Sequence, residues 1–235
     1  MDNDRIIFQQ ANEVRLLLLE NGIAYSEEGA ARRRMYLLAG FVLLIIVVGV
    51  GVYLYVSAPP NIVHAQINTT KGIIQVELYK SKAPQTVNNF VSLANSHFYD
   101  NLVWHRIAKG FVIQTGDPNT KGAVNSTRNT WGQGGSPQTI PQELDPSLHN
   151  DAGYLGMARG GDVNSASSQF YINLVDNRSL DTANRGYAVF GKVTSGMDVV
   201  NQIASVPVEN VPQTSPLYNQ PVDATSVMVT SITIS

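Results

Sequence analysis

The chain has 235 residues, with 16 lysines and arginines against 18 acidic residues, and no cysteine. That length holds one substantial domain plus an accessory segment, and the near-neutral balance gives neither an electrostatic footprint for nucleic acid nor a strong acidic bias. Without cysteine there is no disulfide framework, thiolate nucleophile or thiolate metal site, and the redox state of the compartment stays open.

From the N-terminus, Ile7, Ala11, Val14 and Leu18 recur at spacings of three and four between Asp2 and Asn21-Gly22, which predicts a short amphipathic helix over Asp2 to Asn21. Acidic residues nearly cancel its arginines, so no basic face points to a lipid surface. Residues 1–34 read as a cytoplasmic tail that folds against itself.

Arg32-Arg33-Arg34 then precede an uncharged run from Met35 to Val56. Roughly 22 helical residues span about 33 Å, enough for a hydrocarbon core of about 30 Å. A buried helix of a soluble domain rarely lacks every charge over six turns, so 35–56 is read as a transmembrane helix, with Tyr36, Tyr53 and Tyr55 near its ends. A cleaved signal sequence has a shorter apolar core closer to the N-terminus. The arginine cluster keeps the N-terminus in the cytoplasm and everything after Val56 outside, by the positive-inside rule. Residues 57–61, with Pro59-Pro60, end the helix as a short stiff linker.

Residues 62–235 form the main domain. Val63 to Ile67 and Ile73 to Tyr79 read as a hairpin around Asn68 to Gly72, and Ala83 to His97 as a helix with Pro84 early and a stripe of Val87, Phe90, Val91, Leu93 and Ala94. Val103 to Ala108 and Phe111 to Thr115 are apolar strands joined by Lys109-Gly110. Pro118 to Asp151 is polar and rich in Gly, Asn, Thr and Pro, too long for an ordinary connection, hence a functional rim or a mobile loop. Strands follow near Gly153 to Ala158, Phe170 to Val175 and Tyr187 to Val193, then a helix around Gly196 to Ala204 and a last strand from Ser226 to Ile234. Many short strands with two helices predict an all-β class, a closed antiparallel barrel of about eight strands capped by the two helices.

Within this pattern Arg106 and Gln114 stand out in apolar strands. A guanidinium keeps its proton, so it must reach water or be held ready for an acceptor. Alone, Arg106 reads as a strand residue with its head in solvent. A second stretch, Leu155 to Val175, shifts the balance, because Gln169 sits at a similar place in another apolar strand.

The chain resembles the cyclophilin-type peptidyl-prolyl cis-trans isomerases. The matching pieces, in family order, are Trp104-His105-Arg106-Ile107, Gly110-Phe111-Val112-Ile113-Gln114, Gly116-Asp117, Gly156-Met157-Ala158-Arg159-Gly160, Ser168-Gln169-Phe170-Tyr171-Ile172 and Tyr187-Ala188-Val189-Phe190-Gly191-Lys192-Val193. The resemblance implies a cyclophilin-like β-barrel, a glycine-rich loop beside the pocket, and pocket positions at Phe111, Gln114, Ala158, Gln169 and Tyr171. It departs at Ser179, where the family usually has an aromatic ring; this implies weak binding of cyclosporin-like cyclic peptides. Val112, Arg159, Tyr171 and Tyr187 replace residues common elsewhere in the family, which implies altered substrate preference.

The chemistry follows from the residues as well. Rotation about an X-Pro bond crosses a barrier of about 18 to 20 kcal/mol, and twisting returns the lone pair to the prolyl nitrogen. A catalyst must favour the twisted amide over both planar forms. We expect Arg106 to be the preorganised donor, with Gln114 orienting the carbonyl or the arginine. Phe111, Val112 and Leu180 supply an apolar floor, and Gln169 with the Ala158-Arg159 backbone holds the peptide extended; the resemblance adds Tyr171 and Tyr187 to the substrate-binding set.

His64, His97, His105 and His149 show no ligand spacing, and no G-x-S-x-G or phosphate-binding G-x-x-x-x-G-K-S/T motif occurs, so neither metal nor cofactor is expected. Asn68, Asn125 and Asn177 begin N-x-S/T triplets, open to glycosylation on an outside domain. The expected function is a membrane-anchored isomerase assisting folding of extracytoplasmic proteins, with proline-containing segments as partners and no nucleic acid. The alternatives are a catalytically weak proline-peptide-binding module, favoured by Ser179, and a scaffold at the membrane.

Overall fold

A computed structural model describes residues 3–20, 27–57 and 62–235, and the chain divides into an N-terminal unit of helices and a larger β unit. Helix α1 runs Asn3–Glu20 and α2 runs Glu27–Ser57. In α1, Phe8, Val14, Leu16 and Leu18 are exposed, which corrects the expectation of a tail folded against itself. α2 begins before the uncharged run and carries Arg32-Arg33-Arg34 on the same helix; its segment Arg32–Val50 is long and apolar enough to cross a membrane. The linker prolines, the Asn21-Gly22 stop signal and the side chains of Tyr53 and Tyr55 lie outside the described residues.

The β unit contains β1 (Ile62–Thr69), β2 (Gly72–Tyr79), α3 (Pro84–Asn95), β3 (Leu102–Val103), β4 (Arg106–Ala108), β5 (Val112–Thr115), β6 (Tyr154–Met157), β7 (Phe170–Asn173), β8 (Val189–Ser195), α4 (Met197–Ser205) and β9 (Met228–Ile234). All nine strands belong to one sheet, ordered β3-β9-β1-β2-β8-β6-β7-β5-β4. Every pairing in it is antiparallel. The expected closed barrel of about eight strands is therefore corrected to a nine-stranded sheet whose hydrogen-bonded order is open between β3 and β4.

Those two end strands are consecutive in sequence, because the single strand expected over Val103 to Ala108 breaks at Trp104-His105. There the chain leaves one edge and joins the other: Trp104 N–H donates to Val227 O at 3.0 Å beside β9, whereas Arg106 to Ala108 pair with β5. Trp104 and His105 are both buried at this crossing, which an apolar run in the sequence cannot distinguish from a continuous strand.

Alternation along the strands separates two faces. Ile107, Ile113, Ile172 and Leu155 form one row across β4, β5, β7 and β6 and point into the core. That core centres on Phe90 from α3, with Phe170 edge-on at 5.3 Å, Phe190 at 5.6 Å and Tyr99 at 5.3 Å between ring centroids. Such pairings add roughly 0.5–1.5 kcal/mol each beyond the area they bury.

The N-terminus of α3 has no cap from its own neighbours. Glu143 supplies it from the long loop, accepting from Gln85 N at 3.1 Å and from Thr86 N and Oγ1 at 2.8 Å each. A carboxylate there also complements the positive end of the helix dipole. The Pro118 to Asp151 loop is built from 3₁₀ turns at Pro118–Ala123 and Asn125–Thr130 and an isolated bridge from Ile140 to Ala166, and it lines a cavity, in keeping with the rim reading. Asn177 is buried with its amide spent on Phe111 O and Asn173, and Asn68 donates to Ser231, so of the three triplets Asn125 is the exposed one.

Candidate active site

On the face of the sheet opposite the isoleucine row, Arg106 in β4 pairs with Gln114 in β5, and Gln114 pairs with Tyr171 in β7. Directly opposed residues project to the same side, so register alone brings a cation, an amide and a phenol into line. One pleat along, Ala108 pairs with Val112, and these two pack with Tyr171 into a small apolar cluster joined by Phe111, Ala158, Leu180 and Tyr187.

The result is a hollow of about 210 Å³ lined by Arg106, Phe111, Val112, Gln114, Ala158, Arg159, Tyr171, Leu180 and Tyr187. Every predicted site residue except Gln169 lines it. Gln169 instead lies in an adjoining cavity of about 510 Å³, which shares Gln114, Ala158 and Arg159 with the first.

The polar groups form one chain. Arg106 Nη1 donates to Gln114 Oε1 at 3.1 Å, Gln114 Nε2 donates to Gln169 Oε1 at 2.8 Å, and Gln169 Nε2 donates to the carbonyls of Gly132 at 3.1 Å and Gly134 at 2.6 Å. Each amide thus has its orientation dictated by the next. The Arg106 guanidinium lies 5.7 Å from the Phe111 ring centroid, and its partial burial lowers its pKa from the ordinary value, against the pull of Tyr187 and Tyr218. A guanidinium tolerates that shift and stays charged.

Two backbone features make room. Gly156 pairs with Tyr171, and a Cβ there would stand 2.3 Å from Tyr171 Cζ, so only glycine lets the phenol lie across β6. The hydroxyl then donates to Asn150 Oδ1 at 2.7 Å; burial raises the phenol's pKa, so it remains neutral. Gly134 is similarly hemmed in by Asp117, whose buried carboxylate accepts from the N–H groups of Asn119, Gly132 and Gly134 and moors the glycine-rich loop.

The sequence reading missed Gly132, Gln133, Gly134, Gly135 and Ser136, and Gly160, Ser165 and Ser167, as individual lining residues; the Gly-Gln-Gly-Gly run was the signal for the first five. Of His105 it noted only the lack of ligand spacing. His105 is buried, both ring nitrogens lack a hydrogen-bond partner among the described residues, and burial lowers its pKa to about 4, with Arg106 adding to the depression and Asp117 opposing it. Of the expected backbone grip at Ala158-Arg159, the Ala158 N–H is already spent on Gln169 O at 3.0 Å. Ser179 is exposed next to Leu180, and the hollow has no aromatic side chain from that position.

The site is thus an apolar hollow on a curled antiparallel sheet with a guanidinium at its lip, an arrangement shared by the class of β proteins to which the comparisons point. The chain belongs to the cyclophilin type peptidyl-prolyl cis-trans isomerase family, whose sequence model matches residues 64–228. It is 38% identical over 169 residues to a peptidyl-prolyl cis-trans isomerase of Acinetobacter baylyi, covering 71% of this chain and 85% of that one. It is 34% identical to peptidyl-prolyl cis-trans isomerase B of Escherichia coli, covering 72% and 97%. Among solved structures, a cyclophilin type peptidyl-prolyl cis-trans isomerase of Cryptosporidium parvum superposes with a TM-score of 0.61 at 29% identity, covering 74% of this chain and 98% of that one; the same protein has been solved in the presence of the dipeptide Ala-Pro. The chain is accordingly a peptidyl-prolyl cis-trans isomerase.

Proposed function

We propose that Arg106 is the catalytic cation and Gln114 its positioning partner, acting on an X-Pro bond whose ring sits in the hollow floored by Phe111, Val112, Ala158, Tyr171, Leu180 and Tyr187. Gln169, with Arg159 beside it, holds the flanking peptide extended. The observation that carries this reading is the Arg106 to Gln114 to Gln169 chain at the edge of an apolar space of about 210 Å³, large enough for a pyrrolidine ring and part of its neighbour. The use of Ala-Pro with the Cryptosporidium relative supports a proline-containing peptide as the ligand.

The mechanism is electrostatic. In the planar imide the nitrogen lone pair is delocalised; in the twisted one it is localised on a pyramidal nitrogen, and the preceding carbonyl has swung away. A donor held where that nitrogen or oxygen arrives binds the twisted form more tightly than either planar form, and every 1.36 kcal/mol of that difference accelerates rotation about tenfold. Gln114 matters because it prevents Arg106 from reorganising at that moment. Cyclosporin-like cyclic peptides bind weakly, since no ring from position 179 closes the wall.

The division is 1–34 cytoplasmic, 35–56 transmembrane, 57–61 linker and 62–235 isomerase domain, with the isomerase outside the cytoplasm. The uncharged run in α2 behind three arginines supports the anchor. Unaided prolyl isomerisation takes tens of seconds or longer, so an enzyme tethered where chains emerge shortens a folding step. Two experiments test this. A prolyl-isomerisation assay on the full chain should give acceleration that Arg106→Ala largely removes; acceleration surviving intact in the variant refutes the assigned role. Membrane fractionation with external protease should leave residues 1–34 protected and degrade the isomerase domain; the opposite pattern inverts the topology.

A further inference from the structure

Next to the proline hollow, sharing Arg159 and Tyr187 with it, lies an open cavity of about 350 Å³ lined by Arg159, Gly160, Gly161, Asn184, Arg185 and Tyr187. Two guanidiniums line it and no acidic side chain does. Among the described residues neither arginine is in an ion pair. The acid next along the chain, Asp162, is turned to its own loop, accepting from Asn164 N at 2.9 Å.

Arg159 is held in place without being neutralised. Its guanidinium carbon lies 4.7 Å from the Tyr187 ring centroid, Nη1 donates to Gly160 O at 2.9 Å, and Nη2 donates to Asn184 O and to Gly186 O at 2.8 Å. All its acceptors are uncharged carbonyls, and Nε–H is buried with no partner among the described residues. Arg185 is exposed and makes one long bond, Nη2 to Gly161 O at 3.3 Å, so most of its five N–H groups are free for a ligand. Asn184 and Arg185 both have positive φ, 51° and 71°, a tight turn that carries Arg185 to the Gly161 side of the cavity.

We infer that this cavity is a specificity subsite for a carboxylate side chain carried by the substrate near its proline, so that acidic segments are isomerised faster than their neutral isosteres. The inference rests on the isomerase reading of the hollow. A peptide with its proline over Val112 that leaves past Tyr187 crosses both guanidiniums, and at about 3.3 Å per extended residue the carboxylate falls within one to three residues of the proline. Arg185, with most of its fork open, can take the carboxylate through two parallel bonds, which a lysine would not match, while Arg159, whose N–H groups are largely committed to carbonyls, contributes its charge.

The test uses the full chain and peptide pairs that differ only by Glu against Gln, placed in turn at each of the three positions on either side of proline. One position should favour Glu by about two- to fivefold in kcat/KM, the size of a single exposed ion pair. That preference should shrink in about 1 M salt, where the screening length falls to about 3 Å. Arg185→Gln should bring the Glu-to-Gln ratio toward one, a ratio insensitive to any general loss of activity. Equal rates for Glu and Gln at every position, with catalysis present, overturn the subsite and leave the isomerase reading standing, as does an undiminished ratio in Arg185→Gln. Failure to accelerate any peptide removes both.

Discussion

Arg106 and Gln114 face each other across β4 and β5 as a register pair, and the guanidinium donates to the amide oxygen at 3.1 Å. Because the amide nitrogen is itself committed to Gln169, Gln114 cannot flip, and the arginine is presented in one orientation. Preorganisation here is a consequence of strand register, with the glycine-rich loop carbonyls closing the chain.

Removing the cation tests its assigned role most directly. Arg106→Ala should lower kcat/KM by about 10²- to 10³-fold, the usual effect of deleting one preorganised donor, while the circular dichroism spectrum stays unchanged. Arg106→Lys should recover only part of the loss, because a point charge cannot bond Gln114 and the substrate from one plane. Full activity in either variant contradicts the assignment.

Gly156→Ala places a methyl group, at the ideal Cβ position, 2.3 Å from Tyr171 Cζ. Tyr171 must shift, losing its hydroxyl bond to Asn150. We expect about 1 to 3 kcal/mol of destabilisation in urea, as for other overpacked sites, together with a raised KM. A double variant with Tyr171→Phe should lose less than the two single changes summed, since both act on one bond.

His105 carries a pH dependence whose sign can be worked out. Its folded pKa, about 4, lies below the ordinary 6.5, so the unfolded chain binds the extra proton first as pH falls. The stability contributed by the neutral buried ring is present above pH 6.5 and is lost progressively on going down toward pH 4, in total on the order of 3 kcal/mol. Urea midpoints measured at pH 7 and 4.5 should fall with acid in the wild type and fall less in His105→Gln. Parallel slopes in the two proteins would exclude this source.

Arg128 ties the long loop to the segment before β9. Its Nη1 meets Glu209 at 2.9 Å, Nε meets Gln220 at 3.1 Å, Nη2 meets Pro221 O at 2.6 Å, and its guanidinium lies 5.4 Å from the Trp131 ring centroid. Arg128→Ala strands several acceptors and should cost about 2 to 3 kcal/mol, with Glu209→Gln costing less because the charge it leaves keeps its neutral partners. Thermal melts of the two variants check the ranking; Asn219, in the same segment, accepts from Ile107 N at 2.8 Å, so the β4 edge should also exchange its amides faster in Arg128→Ala.

What could be read from the sequence is what is local. Short apolar runs bounded by turn residues marked β1, β2, β5, β7 and β9, a three-and-four spacing marked α3, and the blocks around Arg106, Gln114 and Gln169 marked the hollow, because each of these signals lies within a few residues of chain. The tertiary structure alone decided where distant segments meet: the sheet's open order, the break at Trp104-His105, the Glu143 cap on α3, the Arg128 clamp and the meeting of Arg159 with Arg185. These join residues tens of positions apart, and which of them touch depends on how far the sheet curls and how its loops cross the rim. That geometry comes from the packing of all the strands together, and no window of sequence contains it.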